Sequence, residues 1–327
     1  VKLLAITVDT ECDKGPGWRV RYPLSFRGVH EGIGEVLQPL LERYGFRATY
    51  LLSPEVMEDE RSVSLLKDVR RVGAELGTHL HGEFVEPGRK VRPEITEEKA
   101  TDYDPHTEWA KLRNLTRIFT DTFGYPPLSY RAGRFAASLR TLLYLERLGY
   151  LVDSSFTPFS SVSGIDHGRA PFYPYRPSRY DPYVPGDLKV WEVPITVYPK
   201  SRYLYRFVSR FPLRRVRRWL KRRFGTVWLR PTVSDIGDVV WLTRRMESIM
   251  GGRVILVMMF HNVELVPGAS PYDSHLVRGN LTDALSFLSD RGYRPVTLSG
   301  IPEVWDTSRL ESTENEHGRG EQEKGVG

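Results

Sequence analysis

Short apolar runs alternate with amphipathic stretches along almost the whole chain, and no other feature limits the possible folds so strongly. Eight runs have strand character: "LLAITV", "ATYLLS", "AELGTH", "LSYRA", "YLVDSS", "VWEVPIT", "RVILVMMF" and "YRPVTL". The stretches between them carry helical periodicity. In "HEGIGEVLQPLLERYG", Ile33, Val36, Leu37, Leu40 and Leu41 keep one face apolar. "HTEWAKLRNLTRIFTDTFG", "SLRTLLYLERLG", "IGDVVWLTRRMESIMGG" and "TDALSFLSDRG" read the same way, each ending on the glycine that often closes a helix. Such alternation predicts a parallel β/α architecture rather than a sandwich or a bundle. Seven or eight repeats in 327 residues fit a (β/α) barrel better than a doubly wound sheet. No G-x-G-x-x-G follows the first strand, which argues against a dinucleotide-binding domain.

A chain of this length, 40% hydrophobic, can bury one barrel-sized core, and a single domain over residues 1–305 is expected. Two segments break the rhythm, 164–188, rich in Pro, Tyr and Gly, and 200–232; both read as insertions on the barrel. Residues 306–327 are Glu-rich, lack apolar periodicity and are expected to be disordered. Cys12 is the only cysteine, so any metal site must be built from His and carboxylates. No apolar run approaches the roughly 20 residues of a membrane helix. The opening "VKLLAITV" is too short for a secretion signal and runs straight into Asp9. A soluble, cytoplasmic protein is the expectation. The net charge of +6 is concentrated in 202–223, "RYLYRFVSRFPLRRVRRWLKRR", where basic residues interleave with aromatic and apolar ones. That pattern suits peripheral contact with an anionic membrane or a polyanion; no specific nucleic acid is expected.

In a parallel β/α fold the functional groups belong at the C-terminal ends of the strands. The unusual polar residues gather there: Asp9 and Glu11 after the first strand, His79, His81 and Glu83 after the third, Arg131 on the fourth, Asp153 on the fifth and His261 at the end of "RVILVMMF". Residues i and i+2 of a strand share a face, so Asp9 and Glu11 point the same way, as do His79 and His81 if the strand persists. A chain turning helical at His79 would instead pair His79 with Glu83. Both arrangements are open: His79 with His81 if the strand persists, His79 with Glu83 if it turns. Two imidazoles and a carboxylate suit a divalent metal, zinc foremost, with nickel, cobalt, iron or manganese also compatible. Tyr173, Tyr175 and Trp191, in or beside the Pro-rich insertion, present the flat faces and polar tips that suit sugar rings.

The order and content of these strand ends resemble the polysaccharide deacetylase family, the NodB-homology or carbohydrate esterase family 4 fold, over roughly residues 1 to 305. "TVDTE" is similar to that family's T-F-D-D-G, which puts its catalytic base on Asp9. The second Asp of the motif, a metal ligand, falls on Thr10, and Glu11 stands in for it. His79 matches the first histidine of H-S/T-x-x-H, while Glu83 occupies the place of the second and His81 lies between. "RAGRF" resembles R-x-P-Y, with Arg131 holding the base and Gly133 in place of proline. "VDSS" puts Asp153 where the fourth motif has its aspartate, and "MMFH" puts the proton donor on His261.

The resemblance implies a distorted (β/α)7 barrel and a metal-dependent hydrolase that removes N-acetyl groups from a glycan or sugar-bearing precursor. Hydrolysis of a non-sugar amide and a glycan-binding pseudoenzyme are the alternatives.

Overall fold

A computed structural model of the chain describes residues 1–94, 97–205 and 223–305. All eight expected strands are present: β1 (Lys2–Thr10), β2 (Ala48–Leu52), β3 (Glu75–Leu80), β4 (Ser129–Ala132), β5 (Val152–Asp153), β6 (Trp191–Glu192), β7 (Val254–His261) and β8 (Arg294–Pro295). They form one curled parallel sheet in the order β7-β1-β2-β3-β4-β5-β6, with β8 beside the start of β1. Leu3, Leu4, Ala5, Ile6 and Val8 are all buried, because a parallel strand between covering helices has no solvent face.

Among the described residues, the helices α1 (Gln38–Tyr44), α2 (Glu60–Arg71), α3 (Pro105–Phe123), α4 (Leu139–Leu148), α5 (Ile236–Met250) and α6 (Ser274–Asp290) cover the sheet. Side-chain oxygens of Asp59, Asp104, Ser138, Asp235 and Asp273 accept backbone N–H bonds in the first turns of α2 to α6. Gly45, Gly124 and Gly149 end α1, α3 and α4 in the left-handed region, where glycine is unstrained. The helix read at 30–45 begins as a wide π-type stretch, Gly28–Leu37, before tightening into α1.

The gap between β6 and β7 is closed without a regular strand. The Thr196 N–H donates to Val257 O (3.1 Å), and the Val257 N–H donates to Thr196 Oγ1 (2.8 Å). The Leu229 N–H reaches Thr196 O (2.9 Å) and the Met259 N–H reaches Leu229 O (3.1 Å). Thus "VWEVPIT" pairs as a strand only over Trp191–Glu192, and irregular backbone supplies the remaining bonds of the barrel wall.

The insertion at 164–188 packs down on the barrel through Ala170, Tyr175 and Leu188, all buried. The second excursion leaves and returns as a two-stranded antiparallel ribbon, Val197–Pro199 against Thr226–Trp228. Most of the basic stretch 202–223, namely 206–222, and the expected disordered tail 306–327 lie outside the described residues. Among the described residues no helix is long and apolar enough to cross a membrane.

Asp153 and Glu192 are register partners on β5 and β6 and both are fully buried. Burial pushes both carboxyls up, Asp153 to about 6, and the charge of Asp153 pushes Glu192 higher still. A group raised in the folded state contributes stability below its unfolded pKa and loses it as pH rises through the folded value. The pair therefore drains stability as pH climbs from about 4 to beyond about 6. Glu192→Gln is expected to flatten that decline, read from urea midpoints between about pH 5 and 8. Parallel pH profiles for the two proteins would contradict it.

Candidate active site

The ends of β1, β3, β4 and β7 converge on one cluster. Arg131 on β4 is 0% exposed, so every donor it turns inward needs a partner. Its Nη1 donates to Asp9 Oδ1 (2.6 Å), Nη2 to Thr7 Oγ1 (2.9 Å) and Ser154 Oγ (2.9 Å), and Nε to Ser154 O (2.7 Å). Burial alone would raise the Asp9 carboxyl. The Arg131 guanidinium outweighs it, with His79 and His261 adding to the effect, and Asp9 titrates below the ordinary carboxylate range. Asp9 is thus held ionised at 2% exposure.

Glu11 follows two residues on, and its backbone is clamped by the residue after β7. The Glu11 N–H donates to Asn262 Oδ1 (2.9 Å), and Asn262 Nδ2 donates back to Glu11 O (3.0 Å). Thr10 turns away and donates to Val8 O (3.1 Å). The Glu11 carboxylate faces two ways: Oε2 lies 3.0 Å from Lys14 Nζ, while Oε1 lies 3.3 Å from His79 Nε2 and 2.9 Å from His81 Nε2. Burial opposes ionisation here too, but Lys14 and His81 hold the Glu11 carboxyl well below the usual range.

The third strand stays extended through Leu80, so His79 and His81 share a face, their rings edge to face at 4.7 Å. His79 Nδ1–H donates to Arg131 O (3.0 Å), since that oxygen only accepts, and this turns Nε2 toward Glu11 Oε1. Gly133, where the resembling family has proline, is required by proximity. A Cβ there would sit 2.4 Å from Leu80 O and 3.2 Å from the His81 ring. The alternative with Glu83 is not what the chain adopts: after His81 it makes a short turn, Gly82–Phe84, and Glu83 Oε1 accepts from the Glu98 N–H (2.7 Å). Glu83 therefore holds the backbone at Glu98 rather than facing the cluster.

One donor atom from each of Glu11, His79 and His81 lies within 4.8 Å of the others, and all three residues are buried. His81 Nδ1 has no partner, so nothing ties that ring except the cluster. The set fits a divalent metal: two imidazole nitrogens and one carboxylate oxygen, a donor set that leaves positions for water and substrate.

His261, opposite Asp9 in the β1–β7 register, completes the cluster. Its Nε2 is 3.9 Å from Asp9 Oδ2 and 3.7 Å from Glu11 Oε1. Its Nδ1 bonds Glu264 Oε1 (3.0 Å), which Arg230 Nη2 also reaches (2.7 Å); Thr232 Oγ1 donates to the other oxygen. Although burial works against it, the charge of Arg230 with the bonds from His261 and Thr232 brings the Glu264 carboxyl down to about 2. The Trp18 ring meets the His261 ring edge-on at 4.9 Å. With 14% of its side chain exposed, His261 is more open than Asp9, Glu11, His79 or His81.

Asp153 stands apart from this group. Ser155 Oγ donates to its Oδ1 (2.5 Å) and Glu192 faces it, so it senses Arg131 only through charge. The sugar-contact expectation fails for Tyr175, which is fully buried with its hydroxyl donating to Pro182 O (2.6 Å). Tyr173 and Trp191 are half-buried against the same core, so all three pack the insertion onto the barrel. Sequence reasoning missed Lys14, Asn262, Glu264, Arg230 and Trp18. Lys14 and Glu264 each stand three residues after a site residue, which is the available signal for both.

No family model matches the sequence, and no curated protein matches it. Solved structures do. A GH57-type branching enzyme from Pyrococcus horikoshii is similar at a TM-score of 0.51 and 13% identity, covering 94% of this chain and 71% of that one. The chain has a distorted (β/α)7 barrel fold. Peptidoglycan deacetylase PdaC from Bacillus subtilis is similar at a TM-score of 0.44 and 12% identity, covering 97% and 96% of the two chains. A family 4 acetyl xylan esterase from Clostridium thermocellum, solved with cobalt, gives 0.43 and 13%, covering 91% and 89%. At 13% identity the likeness to the branching enzyme is one of fold alone.

Removing one member of a buried ion pair leaves the other charge without compensation. Arg131→Met is expected to destabilise the protein by about 3–5 kcal/mol in urea unfolding, and the double variant with Asp9→Leu to recover much of that loss. A change under about 1 kcal/mol for Arg131→Met would contradict the pairing described.

Proposed function

We propose that the chain is a metal-dependent hydrolase that removes N-acetyl groups from a glycan or sugar-bearing precursor. The observation that carries this reading is the placement of Glu11 Oε1 within 3.3 and 2.9 Å of two imidazole nitrogens, beside an ionised aspartate and a third histidine. The strand-end motifs that resemble polysaccharide deacetylases support the acetyl-sugar part.

A divalent metal held by Glu11, His79 and His81 would acidify a water and polarise the acetyl carbonyl. Asp9 is the base: Arg131 occupies Oδ1, so Oδ2 is the oxygen that accepts the proton of the attacking water. The Arg131 pairing keeps this carboxylate ionised in a site where burial alone would protonate it.

His261 is the acid. Glu264 accepts from Nδ1–H, which leaves Nε2 as the nitrogen facing Asp9 and Glu11. The carboxylate behind the ring stabilises the imidazolium, and Nε2–H passes its proton to the departing amine. Arg230 and Thr232 fix Glu264, so the ring does not rotate away. Lys14 occupies Glu11 Oε2, directing a single carboxylate oxygen at the two imidazoles.

Protein purified without chelator should hold a stoichiometric divalent metal, and acetate should be released from N-acetylated sugar oligomers. His81→Ala should bind the metal more weakly and purify largely without it. Asp9→Asn should retain it while kcat falls by about 10²–10⁴. Full activity in Asp9→Asn would remove Asp9 as the base, and unchanged activity in metal-free protein would overturn the reading as a whole.

A further inference from the structure

We propose that a groove on the outer side of the connection from β1 to α1 binds an anionic group, phosphate or carboxylate, carried by the sugar substrate. This deepens the hydrolase reading above and rests on it for the identity of the ligand as a substrate. The groove, ≈ 680 Å³, is lined among others by Gly15, Arg19, Arg21, Tyr22, Arg92 and Glu94. Three arginines face one glutamate. Among the described residues Glu94 pairs with Arg19 alone, at 3.9 Å and with both side chains exposed, so its compensation is weak. Among the described residues, no carboxylate lies within ion-pair range of Arg21 or Arg92.

These are placed charges. The Arg92 guanidinium lies over the Tyr22 ring at 5.6 Å. Arg21 is laid against the bare backbone of Gly15: a Cβ at that position would come within 2.5 Å of Arg21 Nε and 3.3 Å of its Cζ. The groove walls are stitched together by the Val20 N–H donating to Glu94 O (2.7 Å) and Tyr22 Oη donating to Pro93 O (3.4 Å). Planar guanidinium forks match the paired oxygens of carboxylate and phosphate, and a neutral acetylated sugar offers them nothing equivalent.

The groove also shares a wall with the cluster. Residues Gly15 to Arg19 form one tight turn, with the Gly15 N–H donating to Arg19 O (2.6 Å) and the Trp18 N–H to Gly15 O (3.1 Å). Lys14, immediately before that turn, holds Glu11, and Trp18 within it touches the His261 ring. In the proposed binding mode, a substrate whose acetyl group meets Asp9 and His261 runs along the Gly15–Arg19 turn and lays its anionic part at the arginines. The substrate class is then an acidic or phosphorylated acetyl-sugar: a glycan with uronate units, or a precursor carrying phosphate.

The test is calorimetric titration at low salt with two probes, inorganic pyrophosphate and digalacturonate, against the full chain and two variants. Arg21→Gln/Arg92→Gln removes the charges. Gly15→Ala keeps every charge and, with Gly15 in ordinary extended backbone, displaces only the Arg21 side chain. The full chain should bind at least one probe, and both variants should weaken it by about tenfold or more with unchanged metal content and thermal midpoint. The stronger probe identifies phosphate or carboxylate as the source. Absence of binding by the full chain, or binding unaltered in Gly15→Ala, would overturn the site. Probe binding by a protein that holds no metal would sink the hydrolase reading and leave the groove standing.

Discussion

The ion pair between Arg131 and Asp9 is the interaction on which the rest of the site depends. A guanidinium at 0% exposure is tolerated only with its donors paired, and here they reach β1 through Asp9 and Thr7 and the end of β5 through Ser154. One side chain therefore ties three strand ends across the barrel interior. It also places a carboxylate, ionised and with one oxygen free, at a point where apolar surroundings would otherwise hold it protonated.

The same device recurs twice in the cluster. Glu11 gives one oxygen to Lys14 and turns the other to His79 and His81. Glu264 is held by Arg230 and presents its shared oxygen to His261. Three buried carboxylates each have a cation that keeps them charged and oriented, and each acts on a histidine or stands beside one. In the proposed reaction one physical arrangement thus prepares the base, a metal ligand and the support of the acid. The basic groove beside the Gly15–Arg19 turn adds three more cations outside the cluster.

Much of this was legible in the sequence, for identifiable reasons. Parallel strands buried on both faces read as apolar runs, so β1, β2, β3 and β7 stood out, and the polar residues that interrupt such runs had to lie at strand ends. Asp9, Glu11, His79, His81, Arg131 and His261 were found this way. The strand period put His79 and His81 on one face but left Glu83 open as the alternative, and only the backbone decides that the chain stays extended through Leu80. What was not legible depends on contacts between distant segments. The closure of the barrel through Thr196 and Leu229 leaves no period in the sequence. Lys14 reads as an ordinary surface lysine until Glu11 is seen to bury it. Tyr175 shows the limit from the other side, since an aromatic residue in a Pro-rich insertion has the same signature whether it faces a sugar or fills a core.

The central claim is that Glu11, His79 and His81 form a metal centre, and X-ray absorption at the metal edge of zinc- or cobalt-loaded protein tests it most directly. The account expects oxygen and nitrogen donors at about 2.0–2.2 Å with outer-shell scattering from two imidazoles, reduced to one in His81→Ala. A shell of oxygen donors alone, or imidazole scattering that survives intact in that variant, would contradict it.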